Sequence, residues 1–182
     1  PPRDVLMPFP HLMDQHEIAF SIGESGEGTL RFIPRGYERQ PANDYLQKPF
    51  DVYGIYTQIR LESASFQCQA ADFVPPSCYR GVLNLIHHTD QTTSPKAMFG
   101  GDDGNIGMTF RWEDENWLSI SGSIPANRWT WGHHAEKPDS IIRTQVQFDC
   151  YVESVSARET GEEIENFLQF IRDIEFSTDD LC

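Results

Sequence analysis

The sequence predicts an α+β fold: a mainly antiparallel sheet of about six to eight strands in meander order, with two helices, the C-terminal one packed on the sheet. Three observations point there. Alternation of apolar and polar residues recurs in short segments between Ile18 and Val152. Turn-forming clusters separate several of these segments, and only two stretches carry the spacing of an amphipathic helix. With 38% hydrophobic and 12% aromatic residues among 182, the chain has the material for one well-filled core.

The first ten residues hold four prolines and no periodicity, which predicts an extended arm. Ile18, Phe20 and Ile22, then Leu30 and Phe32, alternate on either side of a Gly23 to Gly28 turn and predict a hairpin. Pro34 to Pro49 is polar, carries three prolines and lacks a face, so it is expected to be a connection laid over the surface. The predicted organisation is therefore an arm, hairpin and connection over 1–50, a single α+β domain over 51–176, and an acidic tail over 177–182.

From Ile55 the pattern tightens. Ile55, Thr57, Ile59 and Leu61 share one face of a strand, and after Ser63-Ala64 the alternation resumes with Phe66, Cys68 and Ala70, so the two should pair. Pro75-Pro76-Ser77 opens a helix whose stripe is Tyr79, Val82, Leu83 and Ile86 and which ends near His87-His88, where imidazoles suit the negative end of the dipole. Lys96 to Phe99 is the expected hairpin partner of Ile106, Met108, Phe110 and Trp112 across the Asp102 to Asn105 turn. Leu118, Ile120, Gly122 and Ile124 follow the Glu113 to Asn116 turn. Beyond a Pro125 to Asp139 loop, Ile142 to Val152 is the longest alternation and is expected to lie centrally in the sheet. Thr160 and Glu163 read as a capping box opening the last helix, with Ile164, Phe167, Leu168 and Ile171 as its stripe.

Function is less sharply written. Twenty-eight acidic against 14 basic residues give a net charge of −14, which argues against binding a nucleic-acid backbone and favours a partner with a basic surface. No apolar run reaches the length of a membrane span and no export signal is evident, so the expected setting is cytoplasmic, away from membranes. The four cysteines show no CxxC and no metal-ligand spacing, and Cys68 and Cys150 fall on the apolar phase of their strands. Adjacent pairs such as His87-His88 and His133-His134 diverge on either a strand or a helix, so neither supplies two metal ligands. The Asp102 to Asn105 turn lacks the order of an EF-hand loop. There is no GxSxG, no phosphate-binding P-loop and no GxGxxG after a strand. No catalytic residue, metal or cofactor is therefore predicted.

The binding candidates are Trp129 and Trp131, with Glu113, Asp114 and Glu115. Two tryptophans in a polar loop either anchor an interface or cover the end of the core. The two turns at Asp102 and Glu113 lie at opposite ends of one strand, so at most one adjoins the tryptophans. The expected arrangement is an acidic rim at Glu113 to Asn116 beside them.

From Tyr53 to Phe176 the order of segments is IYTQIRLESASFQCQAADF, a short helix ending VLNLI, the hairpin GNIGMTFRWEDENWLSISGSI, the strand TQVQFDCYV and the closing helix EIENFLQFI. This order resembles the WapI-like group of small bacterial immunity proteins and their uncharacterised relatives. The resemblance implies a protein that neutralises a cognate toxin by binding it and that carries no catalytic residues. A second expectation is a structural or accessory subunit of a larger assembly, threading its Pro-rich arm and acidic tail onto neighbours.

Overall fold

The computed structural model describes residues 7–9, 17–24, 26–41, 50–88, 95–101, 104, 106–125 and 145–176. Nine strands and two helices occur among them: β1 (Met7–Pro8), β2 (Ile18–Ile22), β3 (Gly28–Pro41), β4 (Phe50–Ser63), β5 (Phe66–Val74), α1 (Pro76–His87), β6 (Lys96–Gly100), β7 (Gly107–Trp112), β8 (Trp117–Pro125), β9 (Gln145–Glu153) and α2 (Ser154–Phe176). They make the expected α+β fold, divided into two antiparallel sheets. In the first sheet, β3 is flanked by β4 on one side and by β1 and β2 on the other, and β5 forms the far edge. The second runs β6-β7-β8-β9. Each half of the chain is thus an antiparallel run of strands closed by a helix, an architectural repeat that no sequence similarity announces.

Three sequence expectations need correction. The first strand of the long pair does not end at Phe32. β3 runs to Pro41 and stays paired with β4 through two register shifts, one around Arg35 and one around Tyr53. Pro34, which has no N–H to give, lies beside the first shift and in the gap between the stretches paired with β2 and β1, where a ladder bond is not demanded of it. Pro34, which read as the start of a connection, is accommodated beside a bulge.

The second correction concerns β9, which is an edge strand paired only with β8 among the described residues. Clean alternation reports burial on one face and is blind to how many neighbours a strand has. The β9 edge lies against the corner of the first sheet, where the Gly23 N–H donates to the Tyr151 carbonyl at 2.9 Å.

The third correction is the start of α2. The helix begins at Ser154, directly after β9, and the Ser154 N–H donates to the Asn116 carbonyl at 2.8 Å. Thr160 therefore sits inside the helix and is 2% exposed. Its hydroxyl lies 2.7 Å from the Ala19 carbonyl and 2.9 Å from that of Ser156. Glu163 Oε2 accepts from the Ala19 N–H at 3.1 Å. One donor and one acceptor thus meet both backbone groups of a residue on β2, as a neighbouring strand would. The Thr-x-x-Glu pattern of a cap works here as a clamp between a helix and a sheet edge.

The core lies between the sheets. Phe20 packs on Phe110 with ring centroids 5.6 Å apart, and Phe32 on Phe99 at 4.9 Å. Tyr79 of α1 joins Phe99 at 5.0 Å to Phe167 of α2 at 5.2 Å, so one aromatic chain ties both sheets to both helices. Each such ring contributes roughly 1.5–3 kcal/mol by leaving water. The Tyr79 hydroxyl, raised in pKa by burial, shares a 2.6 Å hydrogen bond with Thr57. Asp72, 1% exposed, accepts from the N–H groups of Phe73 at 2.8 Å and Ile106 at 3.2 Å, pinning β5 to the entry of β7. Gly101 makes that approach possible, since a Cβ there would overlap the Asp72 carboxyl.

Candidate protein-binding surface

The inner face of the second sheet is spent on the core through Ala97, Phe99, Met108, Phe110, Leu118, Ile120 and Val152. Strand alternation then dictates what the outer face carries. Register places Lys96, Arg111, Ser119 and Tyr151 in one row across the four strands, and Met98, Thr109, Ser121 and Asp149 in the next. Alternate serines on β8, Ser119, Ser121 and Ser123, leave a low lane down the middle. Two large apolar side chains stand on either side of it, Met98 on β6 at 62% exposure and Tyr151 on β9 at 51%. The Thr109 hydroxyl donates to the Met98 sulfur at 3.3 Å and holds the thioether over its neighbour.

The Glu113 to Asn116 turn closes one end of this face. Glu113 Oε1 accepts from Ser119 Oγ at 2.7 Å and from Arg111 Nε at 3.1 Å. These bonds, Ser119 first and then Arg111, hold the Glu113 carboxyl below the usual glutamate range. Asp114 Oδ1 accepts from the N–H groups of Asn116 at 2.8 Å and Trp117 at 3.0 Å, so this carboxylate builds the turn. Glu115 is exposed. Of the three predicted acidic residues, one is held on the sheet face, one shapes the turn and one faces water.

Trp129 and Trp131 lie outside the described residues, as do His133, His134 and the Asp102-Asp103 pair. The ends of the segment that carries the tryptophans are described. Pro125 and Gln145 are register partners, at the end of β8 away from Asn116. The nine-residue β8, about 26 Å long at strand rise, separates them from the acidic turn. The turn between Gly100 and Gly107 belongs to the same end as these anchors.

The remaining chemistry-bearing residues are dispersed. His87 and His88 are exposed at the end of α1, where the His88 ring and backbone N–H both meet the Asn84 carbonyl. Cys68, Cys78 and Cys150 are free thiols. Burial, helped by the charge of Asp149, pushes Cys150 up to about 12, and burial raises Cys68. Among the described residues no group of three or more His, Cys, Asp or Glu side chains is placed to hold a metal ion. A void of about 10 Å³ between the sheets, lined by Ile18, Phe20, Phe32 and Phe99 among others, has room for no more than a water molecule. No described helix is long and apolar enough to cross a membrane.

Met98 and Tyr151 escape a reading that follows the core phase. Their signal was available in the opposite phase: each is a large apolar side chain where its strand should be polar.

No protein-family model matches the chain, and no curated protein matches it. Among solved structures, that of the plant transcriptional regulator PBF-2 aligns with a TM-score of 0.46 and 10% identity, covering 93% of this chain and 84% of that one. At that level neither a shared fold nor a shared activity follows.

Proposed function

We propose that this chain is a non-enzymatic protein-binding module, an immunity protein that neutralises a cognate toxin by occupying it. The observation that carries the reading is the outer face of the second sheet, where exposed Met98 and Tyr151 flank a lane of serines beside the Glu113 to Asn116 turn. Apolar anchors set in a polar, hydrogen-bonding field are the composition of contact patches. The net charge of −14 supports a basic partner, whose association it would speed. The resemblance of the Tyr53 to Phe176 segments to WapI-like proteins supports the immunity role. Its free thiols suit a reducing cytoplasm.

The test is co-expression in a growth assay with each neighbouring gene product that arrests growth when expressed alone. Wild type should restore growth, and the Met98→Ala/Tyr151→Ala variant, folded as judged by its melting, should not. Growth arrest in the presence of wild type, or a neighbourhood with no growth-arresting product, would end the immunity reading.

A further inference from the structure

The outer face of the first sheet carries the opposite chemistry. Arg31 and Arg60 are Cα partners on neighbouring strands, with Gln69 of β5 next in the row. Like charges directly opposite on a sheet are destabilising unless something lies between them. Arg31 is provided for: Glu17 reaches its Nη1 at 2.6 Å, and Glu62 lies 3.6 Å from its Nε. Arg60 is not. No carboxylate lies within ion-pair distance of it among the described residues, and its Nε is shielded from water with no hydrogen-bond partner. A shielded N–H that meets none of the protein's own acceptors is uncommon in native proteins and is available to an acceptor brought from outside. Here it stands at the middle of a sheet, in a chain with twice as many acidic as basic residues.

The surroundings decide which acceptor would suit it. Gln58 bridges Arg35 at 3.2 Å and Gln69 at 3.1 Å, and engages the Gln69 Oε1. The Gln69 amide nitrogen therefore remains as a donor in the Arg60 row. Gln67 is turned toward Glu62 at 2.9 Å. A guanidinium and an amide donor in one row call for an acceptor with two oxygens, which a carboxylate supplies in one plane. Glu62 stands in the next row, opposite Thr29, and Glu17 is spent on Arg31, so a side chain that brings its carboxylate singly is admitted where an unbroken backbone of phosphates would be repelled.

We infer that this face docks a carboxylate-bearing segment of a protein, with Arg60 swinging to take an Asp or Glu side chain side-on and Gln69 completing the contact. This surface is independent of the one on the second sheet. A partner engaging both faces would present basic groups to one and an acidic side chain to the other.

The inference is tested on the full chain by following the Arg60 Nε–H resonance while adding an end-blocked tetraglutamate peptide at low ionic strength, with oligothymidylate of equal charge as comparison. The expected result is a saturable downfield shift at Arg60 that is absent at exposed Arg158. Arg60→Gln should weaken the peptide about tenfold, the scale of one charged hydrogen bond, and Arg158→Gln should leave it unchanged. An unmoved Arg60 resonance overturns the inference, as does equal weakening by Arg158→Gln. Tighter binding of the oligothymidylate also overturns it and makes the face a nucleic-acid surface instead.

Discussion

Removing the Thr160 hydroxyl separates a clamp from a cap. Thr160→Val keeps the shape of a side chain that is 2% exposed and deletes the donor that meets the Ala19 carbonyl at 2.7 Å. One such bond is worth about 1–2 kcal/mol when its acceptor is left without a replacement. For a chain of this length that corresponds to a fall in Tm of about 2–8 °C. Glu163→Ala deletes the other half, the acceptor for the Ala19 N–H. Because both act on one residue of β2, the double variant should lose less than the sum, with a coupling of about 0.5 kcal/mol or more. Urea unfolding measures the energies, and hydrogen exchange at the Ala19 amide locates them. Protection there should drop in both single variants. If Ala19 stays protected and the amides of Gly161 to Glu163 lose protection instead, the pair is a helix cap and the clamp is wrong. Glu163 adds a pH signature. Burial raises its carboxyl above the usual range, the Ala19 N–H opposes this, and the charges of Glu17 and Glu159 add to it. A folded-state pKa above the unfolded one gives a contribution that is full below the unfolded pKa and lost as pH rises through the folded one. Glu163→Gln keeps an acceptor for Ala19 and should flatten that decline in the weakly acidic range, leaving neutral-pH stability equal or higher.

The other predictions concern single contacts. Gly122→Ala should cost about 1–3 kcal/mol in urea unfolding, because its Cβ would overlap the Gly107 carbonyl oxygen and approach Met108 Cγ to 2.8 Å. Trp112→Phe removes the 2.8 Å bond from its indole N–H to the Leu85 carbonyl and should lower stability by about 1–3 kcal/mol. Arg111→Gln should return the depressed Glu113 carboxyl toward the ordinary glutamate value in an NMR titration. The wild-type contribution of Glu113 is present above the unfolded pKa and disappears as pH falls through the folded one. In native protein at about pH 8, a thiol reagent should modify half-buried Cys78 before Cys68 and Cys150, whose burial both shields them and disfavours the thiolate.

The elements with one buried face were legible in the sequence. Ile55 to Leu61 with Phe66 to Ala70, and Lys96 to Phe99 with Ile106 to Trp112, pair as their alternation and turns imply. What alternation could not convey was context. It placed β9 at the centre because one-sided burial looks the same at an edge, and it stopped β3 at Pro34 because a bulge that tolerates proline leaves no local mark. Thr160 and Glu163 were singled out for the right chemistry, a hydroxyl and a carboxylate that satisfy backbone groups. Whose backbone they serve is a tertiary fact. In α1 the stripe was displaced at one position, Leu85 being buried where Leu83 was expected, since the helix packs on two surfaces at once. Asp72 and Arg60 were invisible for a related reason: a lone charged residue in a strand acquires meaning only from its register partners.

The measurement that bears most directly on the central claim is titration calorimetry of this chain against the basic domains encoded by its neighbouring genes, for wild type and Met98→Ala/Tyr151→Ala. The account predicts a stoichiometric complex, weakened in the double variant by about 2 kcal/mol or more with the fold intact, as for contact hot spots. No detectable complex, or equal affinity for both proteins, would contradict it.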